Sequence, residues 1–442
     1  MRVSLLTNSP GELWGWARPV VAELRKRGHS VSLWLLPCQF ASGYERMAAS
    51  RLGVDKLEGS GSDIWRNSIL MSGLRTWGAL SREKTDGVLQ LGGDLLFGRR
   101  LAKSAKAPLL CYAYGFQKGM ERARVFTAYS GMAADMNTKL GARVRAGARS
   151  PGSRSSGSWS SGSRSSGSWS SGSWSSERRV RAVGDLVKDA LALEREPFRW
   201  NDDRNGDRNG GADAGRLLLF PGSRPAIRRL ALPWLEEVVR RLRDIVPAVQ
   251  VGTLFSPFVP ESEFPVWRDA GLNPLRGESG IAMRSADYAL TQPGTNNLEM
   301  MHCGLPALIV APMEFLKVVP VGGLGARLLS GVPLLGPRLK ERGIRRKLSR
   351  YGDFTSWPNR IANRAVMDEL TGDVTPEDAA RHIAKAMRDK EKLRRVREEL
   401  LALSGDGGAS SRLCDALERE AGAGRTVVDR TVTDDMGPAR KS

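Results

Sequence analysis

The stretch 285–310, SADYALTQPGTNNLEMMHCGLPALIV, constrains the fold more than any other part of the chain. Residues 288–290 are apolar and predict a short strand, which the loop 292–295 interrupts. Residues 296–302 can form a helix that ends at Gly304, and the apolar run after it predicts a second buried strand. This order of strand, loop, helix and strand is typical of a parallel α/β sheet.

The start of this helix is a candidate anion site. A helix that opens on a Gly-Thr loop presents backbone N–H groups and the positive end of its dipole, which favour phosphate. Gly294 and Thr295 form the loop, and Asn296 follows them. Glu299 lies one turn further on the same face, where its carboxylate can accept hydrogen bonds from a sugar diol. The pattern predicts a nucleotide-sugar site, and an ordinary βα turn with a solvated glutamate is the alternative.

Length and charge narrow the function classes. The 442 residues suffice for two domains, and the net charge of +20 favours an anionic membrane surface, a nucleic acid or a phosphorylated substrate. Because no recognition-helix, zinc-finger or RNP-type pattern occurs, we expect no nucleic-acid partner. Four separated cysteines and three histidines show no metal-ligand spacing, so we expect neither a metal nor another cofactor. Without an apolar run of about 18 residues or a signal-peptide pattern, a cytoplasmic location is expected.

The N-terminus predicts a second β–α–β unit. Residues 2–7 form a strand, and the loop Ser9-Pro10-Gly11-Glu12 leads into an apolar helical repeat that Pro19 interrupts. The next strand is expected at 31–36. Open α/β sheets bind ligands at the carboxyl ends of their strands, which is where this loop lies.

Two further stretches of the first half are candidates for function. In 62–82, aromatic and aliphatic side chains recur on one helical side between arginines, which suits a membrane interface or an acyl chain, and a core-facing helix is the alternative. The residues concerned are Trp65, Ile69, Leu70, Leu74 and Trp77. Asp94 follows a strand at 87–91 and two glycines, a position suited to a catalytic carboxylate, to a turn or to a helix cap.

A second α/β domain is predicted to begin near residue 216, with a strand that runs into Pro221-Gly222-Ser223-Arg224. An arginine after a Gly-Ser loop is suited to a diphosphate, because a charged fork then lies beside backbone N–H groups. The Ser/Gly-rich insert 150–177 cannot bury enough apolar surface to fold and is predicted to be disordered. We therefore expect an acceptor- and membrane-facing domain at 1–185, a UDP-sugar-binding domain at 186–404 that ends in a helix, and a flexible tail at 405–442 in which one short helix can form at 413–417.

Two Rossmann-type parallel-sheet domains facing a cleft describe the GT-B class of glycosyltransferases. Within it, the chain resembles the lipid-A-disaccharide synthase family over roughly residues 1 to 400. The resemblance rests on the Ser9–Glu12 loop, the 65–80 helix, Asp94, the Pro-Gly-Ser-Arg loop, Gly-Thr-x-x-Leu-Glu from Gly294 to Glu299, and Trp357-Pro358-Asn359. Leu13-Trp14-Gly15-Trp16 stands where the family usually continues toward a Gly-Asp pair, which suggests a divergent member.

The resemblance implies transfer of an acylated glucosamine from a UDP-sugar to an acylated glucosamine phosphate, giving the lipid A disaccharide of lipopolysaccharide and UDP. It implies Asp94 as the base, Gly222, Ser223, Arg224, Gly294, Thr295 and Asn296 at the UDP-sugar, and Glu299 at the ribose. Ser9, Gly11 and Glu12 would line the cleft from the first domain. The protein would bind peripherally to an anionic inner membrane.

Two other functions remain open from the sequence. One is a related enzyme of the same fold, either a transferase with a different lipid acceptor or a UDP-sugar 2-epimerase. The other is a membrane-associated protein that binds a UDP-sugar or lipid without turnover.

Overall fold

A computed structural model describes residues 1–38, 41–59, 76–148, 180–196, 198, 200, 215–318 and 354–434. Side chains are described throughout except at three helix ends, 144–148, 317–318 and 424–434. The insert predicted at 150–177 lies outside the described residues. So do four of the five residues predicted to touch membrane, Trp65, Ile69, Leu70 and Leu74. Their structural predictions therefore stay predictions.

The first domain is built on a seven-stranded sheet in the order β3-β2-β1-β4-β5-β6-β7, and its paired strands are parallel. The strands are β1 Arg2–Thr7, β2 Ser30–Leu35, β3 Lys56–Gly59, β4 Gly87–Leu91, β5 Leu109–Tyr112, β6 Arg124–Thr127 and β7 Arg181–Ala182. The strands β4 and β5 are buried along their whole length, as expected for a sheet covered by helices on both faces.

The second domain has a six-stranded sheet in the order β10-β9-β8-β11-β12-β13, again with parallel pairs. Its strands are β8 Arg216–Leu219, β9 Gln250–Phe255, β10 Pro274–Arg276, β11 Tyr288–Thr291, β12 Ala307–Pro312 and β13 Asp368–Gly372. One buried apolar cluster includes Leu5 and Leu33 of the first sheet and Leu298 of the second domain, so the core continues across the domain boundary.

Helices connect the strands and cover both sheets. In the first half they are α1 Pro10–Glu12, α2 Arg18–Lys26, α3 Glu45–Ala49, α4 Leu96–Ala105, α5 Ser130–Ala148 and α6 Leu186–Ala192. In the second half they are α7 Pro225–Ile245, α8 Phe264–Asp269, α9 Ser279–Arg284, α10 Asn296–Cys303, α11 Met313–Val318, α12 Trp357–Ala362, α13 Pro376–Arg388, α14 Lys390–Leu403 and α15 Ala409–Asp434. Short 3₁₀ turns lie at Ser50–Leu52, Met120–Arg122 and Glu261–Glu263.

The two parallel sheets confirm the predicted GT-B-like fold. In each sheet the chain reverses its direction of winding at one point, between β1 and β4 in the first and between β8 and β11 in the second. Parallel α/β sheets bind ligands at such switch points, beyond the carboxyl ends of the strands. The four loops singled out in the sequence follow those four strands.

A π-helical segment, Leu13–Ala17, joins α1 to α2. The amide of Arg18 donates to the carbonyl of Leu13, five residues earlier. Pro19 has no amide hydrogen, so it can occupy the first turn of α2 without losing a hydrogen bond. The widened turn thus carries the chain past the proline predicted to interrupt this helix, and π segments are frequent at functional sites.

The prediction of a flexible tail from residue 405 is wrong for residues 409–421. These residues form part of α15, and Leu413, Cys414 and Leu417 are fully buried against the first domain. The carboxylate of Asp189 fixes the start of this helix, because it accepts hydrogen bonds from the amides of Gly408 and Ser410, each at 2.7 Å. The chain therefore returns to the first domain after completing the second. The other predicted domain limits stay predictions.

Candidate functional site

The loops that follow β1 and β11 meet across the cleft between the two domains. A Cβ atom placed on Gly11 would lie 2.5 Å from Oγ1 of Thr295, so only a glycine fits at this contact. Ser9 shapes the loop from the first domain, because its Oγ accepts a hydrogen bond from the amide of Glu12 at 3.3 Å. The structure thus brings together Gly11 and Thr295, two residues predicted to line one site from opposite domains.

Glu12 is the most unusual ionisable group of this contact. Burial raises its pKa from 4.5 to about 7, although hydrogen bonds from Ser9 and from the Asn8 amide oppose the shift. Its Oε2 is buried without a hydrogen-bond partner among the described residues. Gly92, at a φ of +69°, packs against the carboxylate, and a Cβ atom there would lie 2.2 Å from Oε1. A neutral and an ionised carboxyl are therefore both accessible to Glu12 near neutral pH.

Asp94 lies two residues beyond Gly92 and is exposed. Its Oδ1 accepts a hydrogen bond from the amide of Leu96 at 2.9 Å, at the start of α4. Gln90 supports the turn, since its Nε2 donates to the carbonyl of Asp94 at 2.8 Å. Asp94 therefore stabilises a turn before α4, whose N-cap residue is Leu95, and the catalytic role of Asp94 stays a prediction.

The Pro-Gly-Ser-Arg loop follows β8 and turns directly into α7. Gly222 has a φ of +92°, a backbone conformation that favours glycine, and a Cβ atom there would lie 3.0 Å from Ile227. Ser223 accepts a hydrogen bond through its carbonyl from the buried guanidinium of Arg228 at 2.6 Å. Arg224 immediately precedes the helix, and burial lowers the pKa of its guanidinium. The charge of Arg224 is thus held at the amino end of a long helix.

Asn297 holds in shape the second of the two loops predicted to bind an anion. It is fully buried; its Oδ1 accepts from the amide of Gly294 and its Nδ2 donates to the carbonyl of Gln292, both at 3.2 Å. Gln292 also reaches the first loop, since its Nε2 donates to the carbonyl of Pro221 at 3.5 Å. Asn296 donates to Oγ1 of Thr291 at 2.6 Å. The two loops expected to hold a diphosphate are therefore neighbours at one edge of the second sheet.

Glu299 lies on α10 among charged groups from both domains. Burial raises its pKa from 4.5 to about 7, Ser279 and Arg18 lower it, and Glu194 raises it further. Arg18 of the first domain lies 3.6 Å from the fully buried side chain of Glu194. Glu194 in turn accepts from the amide of Gly280 at 2.8 Å, at the start of α9. The residue predicted to hold a ribose thus lies beside an arginine of the opposite domain.

Two aromatic rings also meet across the cleft. Trp14, in the π-helical segment, contacts Phe258 of the second domain edge-on, with ring centroids 6.2 Å apart. The guanidinium of Arg18 lies over the Trp14 ring at 4.6 Å from its centroid. The departure from the family pattern at Leu13–Trp16 therefore places an aromatic contact at the domain interface.

A buried polar network behind the site was missed by the sequence analysis. Asp185 accepts hydrogen bonds from the hydroxyl groups of Tyr114 and Tyr129 at 2.5 and 3.1 Å, and its Oδ2 lies 3.0 Å from Nε2 of His302. Burial alone would raise the pKa of Asp185, but hydrogen bonds from His302 and Tyr114 outweigh it and hold the pKa below its ordinary value. The only signal in the sequence was the pair Gly184-Asp185 before α6, which indicates a helix cap but does not identify His302 or the tyrosines as partners of Asp185.

The Trp-Pro-Asn motif has a structural explanation. Asn359 is fully buried, and its Oδ1 accepts from the amides of Val366 and Met367, both at 2.8 Å. Its Nδ2 donates to Glu369 on β13 at 2.7 Å. The ring of Trp357 packs edge-on against Tyr114 of the first domain, with centroids 5.2 Å apart. The motif fixes the chain at the domain interface.

Trp77 is the one residue of the predicted membrane contact that the structure describes. It is half-buried, with Phe97 edge-on at 6.4 Å between ring centroids and the Arg100 guanidinium 5.2 Å from its ring centroid. Among the described residues, no helix is long and apolar enough to cross a membrane. Within the same part of the chain, no cluster of three or more His, Cys, Asp or Glu side chains is arranged to hold a metal ion.

Comparisons with known proteins agree with the predicted resemblance at low identity. No family model matches the chain. A lipid-A-disaccharide synthase of Trichlorobacter lovleyi is 26% identical over 219 residues, which cover 46% of this chain and 49% of that protein. A lipid-A-disaccharide synthase of Myxococcus xanthus is 24% identical over 212 residues, with the same coverage of 46% and 49%. The resemblance to this family is therefore confirmed, and the matches span about half the length of the curated relatives.

Solved structures share the fold over nearly the whole chain. The co-structure of S. aureus MnaA with UDP has a TM-score of 0.55 at 14% identity, covering 93% of this chain and 94% of that one. The UDP-GlcNAc 2-epimerase of Neisseria meningitidis bound to UDP-GlcNAc has a TM-score of 0.54 at 13% identity, covering 95% and 100%. At such identities the likeness shows the fold alone.

Proposed function

We propose that this protein is a glycosyltransferase that uses a UDP-sugar donor and an acylated glucosamine phosphate acceptor. In full, it transfers 2,3-diacylglucosamine from its UDP derivative to 2,3-diacylglucosamine 1-phosphate, forming the lipid A disaccharide and UDP. The contact of Gly11 with Thr295 carries the proposal, because it joins the first-domain loop to the helix start expected to bind phosphate. Similarity to two lipid-A-disaccharide synthases supports the choice of acceptor.

The second domain would bind UDP. Arg224 and the amide groups around Gly222 and Ser223 would stabilise the departing diphosphate, together with the amino end of α10. Glu299 would accept hydrogen bonds from the ribose hydroxyl groups. Two solved structures of the same fold hold UDP or UDP-GlcNAc, which supports a UDP-sugar as donor.

The first domain would receive the acceptor. Two carboxylates, Glu12 and Asp94, follow β1 and β4, and each is a candidate to take the proton of the attacking hydroxyl. The net charge of +20 would favour an anionic bilayer, with Trp77 and the other aromatic and aliphatic residues predicted to touch membrane at its surface. On this proposal the protein acts peripherally on the cytoplasmic face of the inner membrane.

Purified protein supplied with both acylated substrates in liposomes tests the proposal, with disaccharide and UDP followed by mass spectrometry. Formation of both products supports it. UDP release without disaccharide supports the proposed donor and contradicts the proposed acceptor, in favour of another lipid. UDP binding without turnover overturns an enzymatic role and favours a binding protein.

A UDP-sugar 2-epimerase is the second candidate, because proteins of that activity share the fold over almost the whole chain. Inversion at C2 requires its C–H bond to break, so solvent deuterium would enter the sugar in the absence of any acceptor. Deuterium in the UDP-sugar without an acceptor would favour the epimerase. A donor that stays unlabelled would favour the transferase.

A further inference from the structure

Three carboxylates of the cleft, those of Glu12, Asp94 and Glu299, differ in the hydrogen-bond partners of their oxygen atoms. Glu299 is hydrogen-bonded to Ser279 and lies near Arg18. Asp94 is exposed and accepts from the amide of Leu96 at the start of α4. Glu12 is oriented by Ser9 and Asn8, yet its Oε2 is buried without a partner among the described residues. Glu12 thus combines an oriented carboxylate with a buried oxygen that has no partner among the described residues.

Other polar atoms at the end of β1 share this condition. Oγ1 of Thr7 and Oδ1 of Asn8 are also buried without hydrogen-bond partners among the described residues. Buried polar groups in folded proteins are almost always paired, and exceptions concentrate where a ligand or a catalytic step uses them. Near the carboxyl end of β1, buried oxygens of Glu12, Asn8 and Thr7 are therefore available to a hydroxyl group, which can both donate and accept.

The position of Glu12 relates these oxygens to the donor side. Its neighbour Gly11 touches Thr295, the residue before α10, and its carboxylate packs on Gly92 after β4. Gly92 at a φ of +69° leaves room for the carboxylate, since a Cβ atom there would overlap it. Glu12 thus lies where an acceptor held by the first domain would meet a donor whose phosphates lie at α10.

We propose that Glu12 is the general base of the transfer, an inference that rests on the proposed function. The oxygen of the acceptor hydroxyl forms the new bond to the anomeric carbon, and the bond from that carbon to the UDP oxygen breaks. The electron pair of the broken bond leaves with UDP. The hydroxyl proton passes to Oε2 of Glu12 and then to solvent, so the reaction yields disaccharide, UDP and one proton.

The surroundings of Glu12 suit a base at neutral pH. Burial raises its pKa to about 7, and proton transfer is most effective when the pKa of the base lies near the working pH. The titratable group that faces it from β5 is Cys111, whose pKa burial raises to about 12, so this thiol stays neutral. Beyond Gly92 the nearest carboxylate along the chain is the exposed Asp94, and the contact with the second domain is made by the uncharged Thr295.

The test compares Glu12→Gln, Glu12→Asp and Asp94→Asn with a control, Glu236→Gln, at an exposed position of α7. Glutamine preserves the size of the side chain against Gly92 and removes the base. UDP release and disaccharide formation are measured between pH 5 and 9, UDP affinity by calorimetry, and folding by circular dichroism. We expect Glu12→Gln to lose about 10²–10⁴ in rate with UDP affinity unchanged.

The pH profile distinguishes a base from a structural residue. The wild type and Glu236→Gln should show a rate that rises with pH through about 7, because the base must be deprotonated. Glu12→Asp should keep a weakened form of this rise, and the residual rate of Glu12→Gln should lack it. Asp94→Asn should lose less activity than Glu12→Gln and keep the rise.

Three results would overturn the proposal. The first is a Glu12→Gln variant that turns over at the wild-type rate. The second is a Glu12→Gln variant whose UDP affinity or folded structure is lost together with its activity. The third is an Asp94→Asn variant whose rate no longer rises with pH. A wild-type protein that forms no disaccharide overturns the proposed function as well, whereas an active wild type with an active Glu12→Gln variant overturns this inference alone.

Discussion

His302 and Asp185 form a buried ionisable pair between the two domains. Nε2 of His302 lies 3.0 Å from Oδ2 of Asp185, and its Nδ1 lies 2.8 Å from Oγ of Ser404. The two side chains of the pair are 1% and 0% exposed. His302 belongs to α10, the helix that directly follows Thr295 at its contact with Gly11, so this pair fixes the far end of the helix that begins at the candidate site.

Removal of the histidine should therefore be costly. Removing one partner from a buried hydrogen bond costs about 1–3 kcal/mol, because the polar group left behind stays out of water without that partner. We expect His302→Ala to lower the free energy of unfolding by about that amount in urea denaturation. His382 is the matched control: its Nε2 lies 2.9 Å from Asp368, but the two side chains are 30% and 32% exposed. His382→Ala should cost about 0–1 kcal/mol. Equal losses for the two variants would contradict the assignment.

Glu299 should make stability depend on pH in the opposite sense to an ordinary carboxylate. Its pKa in the folded protein is raised from 4.5 to about 7, so the folded state binds the proton more tightly than the unfolded state. The contribution of Glu299 to the free energy of unfolding therefore falls as pH rises from about 4.5 to 7, and it stays constant above that window. We expect Glu299→Gln to raise the melting temperature at pH 8 and to leave it nearly unchanged at pH 4.5.

The control for this prediction is Glu236→Gln at an exposed position of α7. It should leave the difference in melting temperature between pH 4.5 and pH 8 as in the wild type. A Glu299→Gln variant that is less stable at pH 8 than at pH 4.5, relative to the wild type, would show that Arg18 outweighs burial.

A methyl group at position 11 should hold the domains apart. The Cβ atom of Gly11→Ala would lie 2.5 Å from Oγ1 of Thr295, closer than non-bonded atoms approach. Since Thr295 precedes the helix expected to bind phosphate, we expect weaker binding of UDP by calorimetry and a larger radius of gyration in solution scattering. Gly131→Ala is the control, because a Cβ atom there meets nothing within 4 Å. Unchanged UDP affinity and size in Gly11→Ala would show that the contact does not set the cleft.

The C-terminal helix should contribute to the stability of the first domain. Leu417 is fully buried, and its Cδ1 lies 2.8 Å from the Cβ position of Gly87 on β4. Truncation of a buried leucine costs about 2–5 kcal/mol, which we expect for Leu417→Ala in urea denaturation. Leu96 is 48% exposed and serves as the control, with an expected cost below about 1 kcal/mol for Leu96→Ala. If Leu417→Ala lowered the free energy of unfolding no more than Leu96→Ala, these residues would behave as the flexible tail predicted from the sequence.

The fold was predictable because its strands and loops are encoded locally. Runs such as 2–7 and 87–91 coincide with β1 and β4, and the loops ending at Arg224 and Thr295 lie at the predicted strand ends. The sequence indicated only a short helix at 413–417 and not the full length of α15, because residues 409–423 contain few large apolar side chains among Ala, Gly and Ser. Its helical state depends on burial against the first domain, and tertiary packing of this kind overrides a weak local propensity.

The candidate site was predictable only in part, for the same physical reason. Single loops such as Pro221–Arg224 have recognisable sequences, whereas the contacts that join them link residues far apart in the chain. Trp14 meets Phe258 and Asp185 meets His302, and neither pair has a local pattern that identifies its partner. The raised pKa of Glu12 likewise depends on burial that the fold supplies.

Because α15 completes the first domain, the second domain is topologically an insertion within the first. During synthesis from the N-terminus, residues 409–421 are made after the whole second sheet, so the second domain can fold while the first still lacks its last helix. The outward and returning segments are joined by several hydrogen bonds, because Asp189 accepts from the amides of Gly408 and Ser410 and Arg412 donates to the carbonyl of Val183. The two chain crossings between the domains therefore run side by side.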